Sequence, residues 1–384
     1  MIIRIITENV LTSRKSVLLL GPRQVGKSTL MESISMDLVI NLADEITFLD
    51  YSTQPNLLNE FISQNNAKSI FIDEIQRLPK LLNTIQTIID QDKNKKIKFY
   101  LTGSSPRKLK RERANLLPGR LVNFYLGPFI SSEFDYQMNT RKILEFGALP
   151  EMYLSNDEME KKRVLKSYAA NYIKEEIKAE ALVRNLDSFA RFFSECIKHI
   201  GQFIDHTKLA KHSKISRHAI PRYFEILEDT LVGKRIFPLK EDYQSLDLIK
   251  HPKFYFFDNG VYNGILGNFT ASSDRIGALS EQLVFTQILH SAWARELDIT
   301  ISSFRTRSGT EVDFIVEIEK TLYAIEVKNS DNIIDDDLFA LSYFKENIKH
   351  PHIKLFIFHM GTKTSKRGSI EVLPWQEGLK KMGL

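Results

Sequence analysis

The sequence has 384 residues, of which 43% are apolar and 26% charged, and it carries a formal net charge of +5. These values exclude an intrinsically disordered chain, and the length predicts two or three domains. No stretch approaches about 18 consecutive apolar residues, so we expect no membrane span. The single cysteine, Cys196, excludes an internal disulfide and, with no signal-peptide pattern in the first residues, predicts a cytoplasmic protein.

The segment 16–30 predicts a nucleotide-binding loop. Four apolar residues, 17–20, suit a buried strand, and they lead into glycines at 21 and 26 followed by Lys27 and Ser28. In this G-x4-G-K-[S/T] pattern the backbone N–H groups curl around a triphosphate, the lysine reaches the β- and γ-phosphates and the hydroxyl binds Mg2+. The predicted cofactors are ATP and Mg2+. The predicted binding residues are Gly21, Pro22, Arg23, Gln24, Val25, Gly26, Lys27, Ser28 and Thr29.

A pair of carboxylates follows further along the chain. The segment from Ser69 reads Ser-Ile-Phe-Ile-Asp-Glu-Ile-Gln, which predicts a short buried strand ending at Asp73 and Glu74. Adjacent carboxylates at the end of an apolar strand are costly unless a cation neutralises them. We therefore expect Asp73 to hold the Mg2+ shell and Glu74 to polarise the attacking water. Between the two motifs, residues 46–51 are expected to form a strand.

Three further side chains are predicted to act on the γ-phosphate. A strand over residues 98–101 leads to Thr102 and Ser104, either of which could hydrogen-bond the phosphate or the water; an ordinary turn is the alternative. Arg120 follows a Pro-Gly turn and is the candidate arginine finger, which would stabilise charge in the transition state. The sequence leaves open whether Arg120 acts on its own nucleotide or on that of a neighbouring subunit.

These motifs together carry a family resemblance. The chain resembles a family of prokaryotic AAA+-type ATPases in Gly-Pro-Arg-Gln-Val-Gly-Lys-Ser-Thr, Phe-Ile-Asp-Glu-Ile-Gln, Leu-Thr-Gly-Ser-Ser, Pro-Gly-Arg and Gly147-Ala-Leu-Pro150. Members of that family have a C-terminal domain of largely unknown function that resembles a PD-(D/E)xK nuclease. The resemblance covers nearly the whole chain. It implies an ASCE-type P-loop sheet in which Glu74 is the catalytic glutamate, and it names no substrate.

Residues 203–240 have the pattern of a winged helix-turn-helix, with helices over 207–212 and 217–229 and a wing strand over 231–239. Pro221 would remove a helical hydrogen bond, so the second helix either begins later or kinks. Basic side chains concentrate on this unit, as a phosphate-facing surface requires, although many winged helices serve only as packing modules. The basic residues are Lys208, Lys211, His212, Lys214, Arg217, His218 and Arg222.

The last part of the chain predicts a second metal site. Strand alternation places Asp313 on one face of a strand over 311–318, and Glu326 with Lys328 on one face of a strand over 323–328. This order matches the D-x(n)-E-x-K constellation of restriction-type nucleases, in which two carboxylates hold Mg2+ and the lysine orients or deprotonates a water. Glu281, on a helix expected to open at Ser280, is the additional metal ligand. The alternatives are an ordinary hairpin with its charges outside, or a binding platform that does not cleave.

The predicted architecture is α/β. It comprises a P-loop ATPase sheet at 1–135, a helical lid or connector at 136–202, a winged helix-turn-helix at 203–258 and a restriction-endonuclease-like domain at 259–384. The predicted function is Mg2+-dependent ATP hydrolysis that moves the winged helix and the nuclease-like domain on nucleic acid, DNA more than RNA. Two alternatives stay open: a nucleotide-dependent scaffold or switch with an inert C-terminal domain, and an ATP-assembled DNA-binding regulator. We expect the chain to associate with further copies of itself, and we expect no membrane partner.

Overall fold

The chain forms two compact units. The computed structural model describes residues 2–54, 56–92, 94, 96–104, 106, 109, 117–168, 170, 186–239 and 246–384. Residues 1–128 with 229–231 form the first unit, and residues 129–228 with 232–384 form the second. No helix in the described part of the chain combines the length and the apolar character needed to cross a bilayer.

The first unit contains a five-stranded parallel sheet in the order β2-β3-β4-β1-β5. All five residues of the central strand β1 are buried, which explains its continuous apolar run. Strand β4 lies between β1 and β3, so the segments that follow these three strands meet at one edge of the sheet. The strands are β1 Ser16–Leu20, β2 Leu38–Asn41, β3 Ser69–Asp73, β4 Lys98–Gly103 and β5 Leu121–Tyr125.

Among the described residues of this unit, the helices are α1 Thr7–Thr12, α2 Lys27–Glu32, α3 Glu45–Thr53, α4 Leu57–Asn65 and α5 Leu81–Gln91. Helix α3 replaces the strand expected over residues 46–51, and that expectation is wrong. The Asp44 side chain accepts a hydrogen bond from the backbone N–H of Thr47 at 2.8 Å and so caps the helix. Ile46 and Leu49 are exposed, so the segment has no continuous buried face of the kind a central parallel strand needs.

The second unit contains an eight-stranded mixed sheet in the order β12-β13-β11-β10-β9-β8-β6-β7. Its strands are β6 Gly233–Pro238, β7 Lys253–Phe256, β8 Ile299–Arg305, β9 Glu311–Ile318, β10 Thr321–Lys328, β11 Ile353–His359, β12 Ser365–Arg367 and β13 Ile370–Pro374. Strands β8, β9 and β10 pair antiparallel, whereas β10, β11 and β13 pair parallel. The β6–β7 hairpin, at the position expected for a wing, joins β8 through Phe237 and Pro238. One sheet therefore spans the predicted boundary between residues 258 and 259.

Helices of the second unit surround this sheet: α6 Thr140–Phe146, α7 Pro150–Leu154, α8 Glu158–Ser167, α9 Leu186–Cys196, α10 His206–Ser213, α11 Ala219–Asp229, α12 Asn259–Leu266, α13 Ile276–Arg295, α14 Asp336–Asn347 and α15 Trp375–Met382. Helix α13 begins at Ile276, earlier than the predicted Ser280, and both α13 and α14 pack on β10. Part of the predicted helical connector, residues 171–185, lies outside the described residues.

Helices α10 and α11 lie at the positions predicted for the two helices of a helix-turn-helix, and the winged helix itself stays a prediction. Asp205 caps α10 by accepting from the backbone N–H groups of Thr207 and Lys208, and Lys214 ends it in the left-handed conformation. Helix α11 begins at Ala219, so Pro221 lies in the first turn, where a missing N–H leaves no intrahelical bond unmade. The late start of the second helix is the first of the two outcomes that the sequence allowed.

The Gly147-Ala-Leu-Pro150 motif packs on the segment after β7. The backbone N–H of Ala148 donates to Asp258 Oδ2 at 2.7 Å. Gly147 has φ of +76°, and a Cβ there would lie 2.0 Å from Asp258 Oδ1. A Cβ on Gly260 would lie 2.0 Å from the carbonyl oxygen of Phe146. Both glycines are therefore required by close packing, and this motif is structural.

Candidate nucleotide site and a buried acidic cluster

The loop after β1 needs glycine at two places. Gly26 has φ of +91°, in the left-handed region that suits glycine. Gly21 lies against the neighbouring strand, and a Cβ there would be 2.2 Å from the carbonyl oxygen of Leu126. Only glycine at position 21 therefore allows the loop backbone to pack this closely against the segment after β5.

The Lys27 ammonium lies inside this loop. The residue is 5% exposed, and its Nζ donates to the carbonyl oxygens of Gly21 and Pro22 at 2.9 Å each. A buried ammonium with three donors can exchange these carbonyls for phosphate oxygens without leaving its place.

Asp73 gathers donors from three separate segments of the chain. Ser28 Oγ donates to Asp73 Oδ2 at 2.7 Å, and the Thr102 hydroxyl donates to Asp73 Oδ1. The backbone N–H of Glu74 donates to the same Oδ1 at 3.1 Å. The structure thus brings together Ser28, Asp73 and Thr102, which the sequence placed in one site. A serine hydroxyl beside a carboxylate is the oxygen donor set that Mg2+ prefers, so the ion fits here.

Glu74 is held by a residue that the sequence analysis did not single out. Gln76 Nε2 donates to the Glu74 carboxylate and to Ser104 Oγ, the latter at 2.9 Å. Glu74 itself has φ of +56°, a conformation that non-glycine residues seldom adopt and that clusters at functional sites. Gln76 is the last residue of the Asp-Glu-Ile-Gln stretch and is only 5% exposed. A polar residue so close to an apolar strand was the sequence signal that could have identified it.

Arg4 is a second contributor that the sequence analysis missed. It is buried, and its guanidinium donates to the carbonyl of Val25 in the loop and to the carbonyls of Gly127 and Pro128 after β5. Arg4 therefore ties the nucleotide loop to the end of the neighbouring strand. Its position in the chain gave no indication of this role, because it precedes the loop and belongs to no motif.

Arg120 lies at the opposite ends of the strands from the nucleotide loop. In the parallel pairing of β1 with β5, Ser16 is level with Leu121 and Leu20 with Tyr125. Arg120 is therefore level with the start of β1, roughly 15 Å along the strands from the loop that follows Leu20. Its guanidinium forms a two-point ion pair with Asp90, with Nε 2.6 Å from Oδ1 and an NH2 nitrogen 2.9 Å from Oδ2. This distance excludes a contact between Arg120 and a nucleotide in its own loop.

In the second unit the predicted nuclease residues surround a buried lysine. Lys253, the first residue of β7, is 1% exposed. Its Nζ lies 2.6 Å from Glu311 Oε1, 3.7 Å from Glu281 Oε2 and 3.7 Å from Asp313 Oδ1. We call Lys253, Glu281, Glu311, Asp313 and Glu326 the acidic cluster. The sequence analysis named three of its four acids and missed Lys253 and Glu311.

Further hydrogen bonds fix the acidic cluster in place. Tyr255 donates its hydroxyl to Glu281 Oε2 at 3.0 Å, and the backbone N–H of Val327 donates to Asp313 Oδ2 at 2.9 Å. Lys328 lies 3.2 Å from Glu326 Oε1 and 3.0 Å from Asp337 Oδ1. Lys253 therefore contacts Glu281, Glu311 and Asp313, and Lys328 contacts Glu326 and Asp337.

Burial changes the protonation of the cluster. Removal from water, with the Asp313 carboxylate as the second cause, raises the pKa of Glu281 to about 8 and that of Glu326 to about 9. Removal from water opposes charge on Lys253, but Glu281, Asp313 and Glu311 together hold its pKa above the ordinary lysine value. At neutral pH the lysine is therefore charged, while Glu281 and Glu326 retain protons.

The acidic cluster already contains a cation, the Lys253 ammonium, where the sequence predicts Mg2+. Among the residues that the structure describes, Glu281, Asp313 and Glu326 do not bring one ligand oxygen each within 4.8 Å of one another. The Lys253 ammonium instead contacts Glu281 and Asp313 and supplies the positive charge that a metal would supply. The expected metal site and its catalytic lysine, Lys328, stay a prediction that this arrangement disfavours.

We expect the raised pKa of Glu281 to make the stability of the second unit fall as pH rises. The folded state binds a proton more tightly than the unfolded state, so the stabilisation is complete below about pH 4.5 and is lost towards about pH 8. The slope is at most about 1.4 kcal/mol per pH unit for this carboxyl. Urea unfolding can be followed by tryptophan fluorescence, because Trp293 and Trp375 both lie in the second unit.

Glu281→Gln should flatten this pH dependence, because the amide does not titrate. Glu317→Gln is the matched control, since Glu317 is exposed on β9. Equal slopes for the parent and Glu281→Gln would contradict the assignment of the proton to Glu281.

Comparison with known proteins finds matching family models for three parts of the chain. Residues 13–135 match the model of an AAA domain family. Residues 138–272 and 276–377 match two domain families of unknown function, DUF8612 and DUF4143. The chain therefore carries an AAA-type ATPase domain in its N-terminal part.

The chain is also similar to uncharacterised proteins from several microorganisms. It is 24% identical over 355 residues to one from Methanocaldococcus jannaschii, covering 83% of this chain and 76% of that protein. It is 23% identical over 320 residues to one from Haemophilus influenzae, covering 76% of this chain and 74% of that protein. The structure also matches a solved structure of a RuvB variant from Thermotoga maritima. The match covers 58% of this chain and 82% of that chain, with 16% sequence identity and a TM-score of 0.27.

Proposed function

We propose that this protein binds and hydrolyses ATP with Mg2+ and acts as a nucleotide-dependent switch on nucleic acid. The observation that carries the proposal is the convergence of Lys27, Ser28 and the Asp73–Glu74 pair at one edge of a parallel sheet. These residues come from two segments far apart in sequence, and they match in kind and place the groups that a triphosphate requires.

Each side chain has a distinct task in this proposal. Lys27 binds the β- and γ-phosphates in place of the two carbonyls it now contacts, while Ser28 and Asp73 hold the ion. Mg2+, when bound, neutralises charge on the phosphates. Glu74 orients the attacking water, and Gln76 with Ser104 keeps its carboxylate aimed. Thr102 positions Asp73, so Ser104 is the better candidate for sensing the γ-phosphate.

Glu74→Gln should abolish turnover and retain ATP binding. The amide keeps the shape of the side chain but cannot accept a proton, and loss of such a base costs at least about 100-fold in rate. Phosphate release measures turnover, and a fluorescent ATP analogue measures binding. Glu60→Gln, at an exposed position of α4, is the matched control. Turnover that survives in Glu74→Gln would remove Glu74 from the mechanism.

Arg120 would act only across an interface between copies of the chain. The strand register keeps it away from its own nucleotide, so an arginine-finger role requires a second subunit and exchange of the Asp90 ion pair. This is the physical basis for proposing a homo-oligomer.

The helix-turn-helix supplies a surface for nucleic acid. Its basic side chains are all exposed: Lys208, Lys211, His212, Lys214, Arg217, His218 and Arg222. A β-hairpin, β6–β7, follows α11 directly, as a wing would. We infer a winged helix that contacts the backbone of DNA.

Arg217→Ala with Arg222→Ala should weaken DNA binding and lower its salt dependence. Each lost phosphate contact reduces the slope of log affinity against log salt by about 0.9, so the pair should reduce it by about 2. Anisotropy of a labelled duplex measures both quantities, and a single-stranded RNA of equal length tests the preference for DNA. Lys349→Ala with Lys366→Ala, exposed elsewhere in the second unit, is the control pair. An unchanged slope would place the DNA surface elsewhere.

The acidic cluster favours an inert C-terminal domain over a nuclease. The Lys253 ammonium lies among Glu281, Glu311 and Asp313, where a nuclease would hold its metal, so we propose that this domain positions the switch on nucleic acid without cutting it. An inert C-terminal domain is the part of the scaffold alternative that this proposal keeps.

Supercoiled plasmid incubated with Mg2+ or Mn2+ should therefore remain intact. The parent protein, Asp313→Ala and Lys328→Ala should give the same absence of nicking. Metal-dependent nicking by the parent that both substitutions abolish would instead establish the nuclease.

A further inference from the structure

We propose that Glu195, His199 and His212 form a binding site for a zinc-class divalent metal ion. One ligand atom from each of these side chains lies within 4.8 Å of the other two. Two imidazoles with one carboxylate suit zinc and its transition-metal neighbours, whereas Mg2+ takes oxygen ligands. The site is separate from the nucleotide loop and the acidic cluster, and it goes beyond the function proposed above.

The backbone presents two of the ligands on one face. Glu195 lies in the last turn of α9, and His199 ends the short 3-10 turn Ile197–His199 that continues it. Residues four apart on a helical path are neighbours, so the carboxylate and the imidazole point the same way.

The third ligand is brought in by contacts that do not involve the metal. Arg191 Nε donates to the carbonyl oxygen of Ser213 at 3.1 Å, which ties α9 to the end of α10 and places His212 beside it. Phe192 of α9 packs edge-to-face on Phe224 of α11, with ring centroids 4.9 Å apart. The site is therefore assembled by the helix packing itself.

The ring of His199 is set for metal binding. Its Nδ1 lies 3.0 Å from Gln202 Oε1. An amide oxygen only accepts hydrogen bonds, so this contact favours the tautomer with its proton on Nδ1, which leaves the Nε2 lone pair for a metal. A second group that orients a histidine in this way is a regular feature of metal sites.

The groups nearby do not prevent binding. Lys198 Nζ lies 2.7 Å from Glu195 Oε1, and its side chain is 57% exposed, so this ion pair is weak and a metal ion can displace it. His212 lies in the last turn of α10, where the helix end carries partial negative charge that favours a cation. Three protein ligands leave a fourth position for water or another donor.

A bound ion would clamp α9 to the first helix of the helix-turn-helix. Because the three ligands meet only in the folded unit, the ion binds the folded state selectively and stabilises it. The proposed metal ion thus stabilises the packing of α9 against the helix-turn-helix, α10 and α11.

Co2+ titration of the full chain without nucleotide tests the site. We expect one equivalent of Co2+ to give a tetrahedral visible spectrum that Zn2+ displaces, and Zn2+ to raise the unfolding temperature. His199→Gln and His212→Gln should each weaken binding at least about tenfold. His218→Gln, an exposed histidine of the same module, is the matched control and should bind like the parent.

Unfolding of His199→Gln and His212→Gln without metal, followed by tryptophan fluorescence, should match the parent and show that both variants fold. A titration with no tetrahedral Co2+ spectrum would overturn the proposal. So would a spectrum that both substitutions leave unchanged, because the ion would then be bound elsewhere. Neither result bears on ATP hydrolysis, since no nucleotide is present.

Discussion

A carboxylate removed from water needs a positive charge or hydrogen-bond donors, and both units of this protein depend on how that need is met. In the first unit Asp73 accepts from Ser28, Thr102 and the backbone of Glu74. These donors are neutral, and the nearby Lys27 ammonium is bonded to the carbonyl oxygens of Gly21 and Pro22, not to Asp73. In the second unit Lys253 provides the cation permanently. The two sites look alike in sequence, yet they are left in opposite electrostatic states.

The acidic cluster also joins the helix-turn-helix to the large sheet. The backbone of Phe203, just before α10, bridges to Lys253, and the Lys253 ammonium lies 5.0 Å from the centre of the Phe203 ring. Gly201 donates its N–H to the carbonyl of Phe254 at 3.1 Å, and a Cβ on Gly201 would lie 3.3 Å from Glu281 Oε2. The cluster thus lies where the segment before α10 meets the sheet. A buried ion-pair network at such a junction suits a scaffold, because it fixes one arrangement of the parts.

The nucleotide site could be predicted almost completely from the sequence, and the acidic cluster only in part. The loop residues and the Asp73–Glu74 pair follow a spacing that chemistry imposes, so local sequence was sufficient. Gln76, Arg4 and Lys253 were not predicted from the sequence, because each acts through contacts between distant segments. The strand expected over residues 46–51 was wrong because the Asp44 cap and exposed side chains outweighed a short apolar pattern. Arg120 was chosen for its turn, and the strand register then excluded its own nucleotide.

By itself the sequence determined several local elements: the buried strands β1 and β3, the glycine loop between β1 and α2, the acidic pair at the end of β3 and two helices near α10 and α11. These depend on backbone conformation and on residues adjacent in the chain. Only the tertiary structure decided which charges meet. It placed Arg120 at the opposite ends of the strands from the nucleotide loop and put Lys253 of β7 among acids from α13 and β9. Electrostatic partners depend on distance in space, and distance in space is set by strand order and helix packing.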